Sequence, residues 1–356
     1  MKNNERQRDS GIDLLRIFAA IGVILIHIGD GRISGIDADS INHYVLIIIE
    51  SIVHCCVDLF ILITGFYSIY SVKRSLGKPL SLLFQVLLFQ VIWYFLLVLT
   101  GRVQISLYSI CDFCTPNNYF VILFIVLYFL SPYINRLMLS FTQRELNVFM
   151  TFILCLFSLY AIGVDLYSEL MNKKWFGLSS FGAWGNQQGF TIINFSVLYI
   201  VGAYIKIKNV KNIISKSQAI AWFIVCLFVS SIWAEINFNL PKVGLWSAWC
   251  YHNPIMILMA VSLFIIFSNI KCRSMIINRM APAAFMCYIF HVKILSFLPV
   301  DNILILPIYL MLPILLMLVI SIFIISWILY ELYTLIFARF FKQLDKIVVP
   351  YFDNIK

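Results

Sequence analysis

Ten runs of predominantly apolar residues, each close to the length that crosses a bilayer, dominate this 356-residue chain. They fall at roughly 12–29, 44–68, 80–100, 119–138, 146–164, 189–205, 218–237, 252–269, 282–298 and 303–330. A membrane-spanning helix needs about 20 such residues. Hydrocarbon offers backbone groups no water, so runs of this kind must satisfy their own N–H and C=O groups as helices. The expected fold is all-α: a polytopic transmembrane helical bundle of about ten spans, forming one integral-membrane domain over residues 1–356. Composition agrees, at 62% hydrophobic and 12% charged, against about half and a quarter in a soluble domain. The first run carries Asp13 and Arg16 near its start and no small-residue cleavage site behind it. It therefore reads as a retained span rather than a signal peptide. The run at 282–298 is the weakest, diluted by Pro282, His291 and Lys293.

Lys and Arg in short loops set orientation. With the N-terminus in the cytoplasm, 20 of the 26 Lys and Arg lie on the inner side. Only Arg32, Arg102, Lys173, Lys174, Lys242 and Lys293 lie outside. A missing or surplus span would mix the two sets, so an even count with both termini cytoplasmic is expected. The net charge of +9 is then a topology signal and an anchor to the anionic headgroups of the lipid bilayer. No basic domain stands outside the membrane, which argues against nucleic-acid binding.

The longest outer loops, near 165–188 and 238–251, are aromatic and polar, with Trp175, Phe176, Trp184, Asn186, Gln187 and Gln188 in one and Trp246, Trp249, Tyr251 and Asn253 at the other. Such residues form interfacial belts, and their rings also stack on sugars. Most of the nine cysteines sit within spans as small hydrophobes. Cys111 and Cys114, in an outer loop at C-x-x-C spacing, are the exception and could form a disulfide or redox pair. No metal centre is expected.

Ionisable side chains at membrane depth are costly unless paired or wet, so each is a functional lead. Asp13 and Arg16 stand three apart and can pair on one helix face. Arg16 and His27 are eleven residues apart, almost three whole turns, which puts both on one face roughly 16 Å apart along the axis. One stripe thus carries a permanent cation toward the cytoplasm and an imidazole toward the outer leaflet. In the second span Glu50, His54 and Asp58 are spaced by four on one face. They read either as a self-satisfied polar stripe or as the wall of a wet cavity opposite His27. Glu235, His252, His291 and Glu331 also lie in or near spans.

The first span, GIDLLRIFAAIGVILIH, resembles the opening of the acyltransferase-3 family of membrane proteins, with Ile12-Asp13-Leu14-Leu15-Arg16 at its start and the family's Arg-to-His spacing from Arg16 to His27. VDLFILITGFYSIY resembles the family's second-span motif, with Thr64 where Ser is usual. Lys73-Arg74 and Lys78-Pro79 loosely match the basic, proline-ended approach to the third span. The stretches Tyr119–Leu137, Gly189–Lys206, YHNPIMILMAVSLFIIF and CYIFHVKIL resemble successive segments of the polysaccharide-modifying branch, the last assigning His291.

The resemblance implies a membrane O-acyltransferase of the bacterial plasma membrane that moves an acyl group, usually acetyl, from cytoplasmic acyl-CoA to a hydroxyl of a surface glycan or lipid-linked oligosaccharide. No permanently bound cofactor is expected, acyl-CoA being a co-substrate. On this reading Arg16 with Lys73, Arg74 and Lys78 holds the CoA phosphates. His27 acts as general base or carries the acyl group, and Asp58 or His54 orients an imidazole. Catalytic roles thus fall to His27, Arg16 and Asp58, and substrate binding to His54, Glu50, Lys73, Arg74, Lys78, Trp249 and Asn253. The main alternative is a polysaccharide or lipid-linked glycan transporter or flippase. The chain lacks the detectable inverted repeat and paired broken helices typical of that class.

Overall fold

A computed structural model describes residues 10–346 apart from 30, 72, 117, 173–186 and 240–246. Trp175, Phe176, Trp184, Asn186 and Trp246, read above as loop aromatics and polar groups, lie outside the described residues. In chain order the helices are α1 (Gly11–Gly29), α2 (Ile41–Val53), α3 (Cys56–Ser68), α4 (Gly77–Leu99), α5 (Leu107–Cys114), α6 (Tyr119–Ser140), α7 (Gln143–Leu154) and α8 (Ala161–Leu170). They continue with α9 (Ile192–Ile207), α10 (Val210–Ile213), α11 (Lys216–Asn239), α12 (Pro254–Ser268), α13 (Met275–Met280), α14 (Ala284–Leu295), α15 (Val300–Leu304) and α16 (Ile308–Leu344). Among the described residues there is no β-strand, and nine helical segments are long and apolar enough to cross a membrane. Helix α9 is apolar but, at 16 residues, shorter than these nine. The protein is thus an all-α, multi-pass membrane protein.

Loop-exit residues fix where these helices begin. Ser40, Asn118, Thr191 and Asn253 cap α2, α6, α9 and α12 through their side chains, and Thr142 with Glu145 forms a reciprocal box at α7. Each cap satisfies an otherwise orphaned N–H at a helix start. The alternation of helices gathers Arg16, Lys73, Arg74, Lys78, Lys206, Lys271, Arg279 and Lys342 at one end, hereafter the basic end. His27 and the outer-loop residues lie toward the far end. At the basic end Ser10 Oγ accepts from Ser274 N at 2.9 Å, tying the start of α1 to the loop before α13.

Helices α3 and α9 form the innermost pair. Their crossing is made by two glycines: a Cβ on Gly65 would run into the Tyr199 carbonyl, and one on Gly202 into the Leu62 carbonyl. Small residues of this kind let membrane helices approach backbone to backbone. Around this pair, α1 packs against α2, α3, α12 and α14. Helix α16 has 37 residues, a length of about 55 Å, and overruns a hydrocarbon core of about 30 Å.

Four expected spans are drawn differently. The segment 44–68 is interrupted at His54 and Cys55, so Glu50 and Asp58 belong to different helices. That break is tolerated because Cys55 and Cys56 are wholly enclosed by protein. The segment 146–164 extends to Gln143–Leu170 and includes a π-helical stretch, Cys155–Tyr160. Pro282 sits in a 3₁₀ turn that divides α13 from α14. Residues 303–307 belong to α15 and a turn, and the last helix runs on to Leu344.

Candidate active site

Helices α1 and α14 bring His27 and His291 together, with ring centroids 4.8 Å apart. His291 is 1% exposed. Its Nδ1 lies 3.0 Å from the Cys287 carbonyl one turn back. A carbonyl only accepts, so Nδ1 carries the proton and Nε2 carries the lone pair. That Nε2 is buried without a hydrogen-bond partner among the described residues. The backbone under His27 is held from the loop beyond α1, where the Arg32 guanidinium donates to the carbonyls of His27 at 2.8 Å and Ile28 at 3.2 Å. A half-buried imidazole against a buried one that presents a free lone pair can accept and return a proton.

The other half of the α1 stripe opens on a cavity of about 260 Å³ walled by Arg16, Phe60, Ile63, Thr64, Lys78, Phe120, Phe124 and Tyr288, among others. Tyr288 also lies 6.0 Å from the His291 ring. The cavity therefore joins Arg16 and Lys78 at the basic end, past aromatic walls, to Tyr288, the wall residue next to His291. A second cavity of about 160 Å³ shares Thr64, Lys78 and Phe124 with it and adds Lys73, Arg74, Tyr128, Ser131 and Tyr199. Arg16 donates to Asp13 Oδ1 at 2.6 Å and keeps part of its surface open.

Besides Arg16, the expected phosphate cations divide into two kinds. Lys73 and Lys78 are exposed, the Lys78 ammonium lying 5.4 Å from the Phe124 ring centre. Arg74 is buried, and its guanidinium is already engaged. It donates to the carbonyls of Tyr128, Ser71 and Lys73 at 2.9–3.0 Å and to the hydroxyls of Ser71 and Ser131. Arg74 is thus a tether joining the α3–α4 loop to α6. Asn135 completes this floor: its amide donates to the Ser68 and Ser71 carbonyls at 2.7 and 3.0 Å and accepts from the Tyr199 hydroxyl at 2.8 Å. Ser131, Asn135 and Tyr199 stand in segments quoted for their family likeness, yet sequence reasoning gave them no role in the site. Arg74→Ala is expected to lower thermal stability, by about 1–3 kcal/mol for each buried acceptor left unpaired. Lys78→Ala is expected to leave stability alone and raise the donor KM. Thermal unfolding and donor saturation curves on both variants check the division.

The remaining expected residues are placed in other surroundings. His54 Nδ1 lies 3.1 Å from both the Glu50 carbonyl and Glu50 Oε2. Its ring stacks on Trp249 at 4.9 Å. Trp249 is buried and donates to Ser51 Oγ at 3.1 Å, so its ring is held against His54. Asn253, also buried, caps α12 and donates to the Ser247 and Ala248 carbonyls; it shapes the turn and meets no solvent. Asp58 is wholly buried, and both its carboxyl oxygens lack hydrogen-bond partners among the described residues. Among the described residues no imidazole hydrogen-bonds to it. It stands within electrostatic reach of Tyr119 and Tyr251. Cys111 and Cys114 are exposed free thiols on α5, with no disulfide between them.

The protein is a multi-pass helical bundle whose first helix runs from a cation-lined cavity to a pair of imidazoles. The family model described as an acyltransferase domain, acyltransferase-3, matches residues 9–331, and the chain belongs to that family. No curated protein and no solved structure matches the chain.

Proposed function

We propose that this membrane acyltransferase takes an acyl group, acetyl in the simplest case, from cytoplasmic acyl-CoA and delivers it to a hydroxyl of a surface or lipid-linked polysaccharide. The observation that carries the reading is the continuity of the α1 stripe: Arg16 and Lys78 wall the same cavity as Tyr288, which adjoins the His27–His291 pair. With the basic end in the cytoplasm of a bacterial inner membrane, the cations face a polyanionic nucleotide. Arg16, Lys73 and Lys78 then bind phosphates, while the aromatic walls receive the slender thioester arm. His27 takes the proton of the acceptor hydroxyl. The resulting alkoxide attacks the thioester carbonyl, the C–S bond breaks, and the imidazolium returns its proton to the departing thiolate. His291 packs its ring against His27, 4.8 Å between centroids, and steadies that imidazole in place. Asp58 offers a buried carboxyl to a hydroxyl entering between the helices.

The test is the acetyl content of the host surface polysaccharide, read by proton NMR after deletion of the gene and restoration with native chain or His27→Ala. Acetyl signals should vanish on deletion, at unchanged polymer yield, and return only with the native chain. Loss of the polymer itself, restored equally by both versions, would point to export and sink the enzymatic reading.

A further inference from the structure

Outside this site, a second group of chemistry-bearing side chains is buried near the far end. Asp165 on α8 meets Cys250 and His252, which lie in the turn feeding α12. Their ligand-capable atoms all fall within 4.8 Å of one another. The three residues are 1%, 2% and 3% exposed. We propose that Asp165, Cys250 and His252 form a binding site for a divalent transition-metal ion of the zinc class, independent of the acyl-transfer site.

Geometry and chemistry converge on this assignment. Thiolate, imidazole and carboxylate are the ligand types zinc takes. His252 Nε2 is 3.1 Å from Asp165 Oδ2. Two ligands on a tetrahedral zinc stand roughly 3.3 Å apart, from bond lengths near 2.0 Å. The pair therefore already has the separation of a tetrahedral edge, and the thiol needs to close by about an ångström. The turn is also held rigid around them, as metal sites require. Ser158 Oγ donates to the His252 carbonyl at 2.6 Å. Asn253 N donates to the Cys250 carbonyl at 2.9 Å. Glu169, one turn beyond Asp165, is committed elsewhere: its carboxylate accepts from Ser247 N, the Ser247 hydroxyl and the Asn237 amide. It is therefore no ligand, and the fourth position falls to water. A bound ion would join α8 to a turn 87 residues further along the chain, a link that stabilises the far end as metal binding stabilises other small sites.

The experiment uses the full chain purified in detergent without chelator. Elemental analysis should find about one zinc per chain. Stripping it with EDTA should lower the thermal midpoint, and adding zinc back should restore it. Cobalt substitution should give a thiolate-to-metal absorption band in the native chain. Cys250→Ser and His252→Gln should each lose the metal, and Cys250→Ser the band. A metal-free native chain that gains no stability from zinc and shows no cobalt–thiolate band overturns the proposal. So does full metal content in both variants. If the variants do not fold, zinc re-addition and the cobalt spectrum of the native chain decide.

Discussion

Replacing His27 with alanine is expected to lower acyl transfer by ~10²–10⁴-fold, the range for removing a positioned acid–base group. The loss should appear in kcat, with the donor KM little changed, because the cations of the cavity lie roughly 16 Å away along α1. His291 contacts His27 but stands behind it, so His291→Gln should cost less in kcat and shift the pH–rate profile. A side chain that only filled space would leave that profile alone. Turnover of labelled acyl donor by monodisperse protein in proteoliposomes provides the measurement. Native turnover by His27→Ala would remove His27 from the chemistry, and an unshifted profile in His291→Gln would reduce His291 to packing.

The second large effect is on folding. Gly202→Leu places a Cβ against the Leu62 carbonyl and within 2.9 Å of the Phe66 amide nitrogen. Both obstacles are backbone, so neither can rotate aside. Overpacking in a tight core costs about 1–3 kcal/mol and sometimes more, and here the two innermost helices must separate. The variant should be recovered at much lower yield with a lower thermal midpoint. Gly163→Leu supplies the control, since nothing lies within 4 Å of a Cβ added there. Equal stability of the two variants would show that the α3–α9 approach is looser than drawn.

Much of this architecture was legible before any coordinates, for a physical reason. A bilayer demands long apolar helices, so the crossing pattern is written in hydropathy alone. The Arg16-to-His27 stripe was legible because both residues share one straight helix, where spacing fixes the face. The same argument failed for Glu50, His54 and Asp58, because the helix breaks at His54 and the faces no longer follow from spacing. It failed for Arg74 because a sequence shows a cation but not the carbonyls that surround it. Trp249 and Asn253 looked like residues of an exposed loop, yet their side chains fold inward to hold His54 and cap α12. Partnerships across hundreds of residues, such as His27 with His291, were invisible to periodicity. His291 was flagged only by its motif, and Asp165 with Cys250 and His252 not at all as a set.

The long reach of these partnerships bears on how the protein is made. A chain emerging from the ribosome presents its N-terminal segments first, so His27 is inserted well before α14 exists. Its ring contact with His291 forms only when α14 arrives. The segment from Lys73 to Lys78 waits longer still: Ser75 donates to Asp345 at 2.9 Å, a residue 270 positions later, and Gly77 packs against the same carboxylate. The segment before α4 thus takes its final packing only once the chain has been made as far as Asp345.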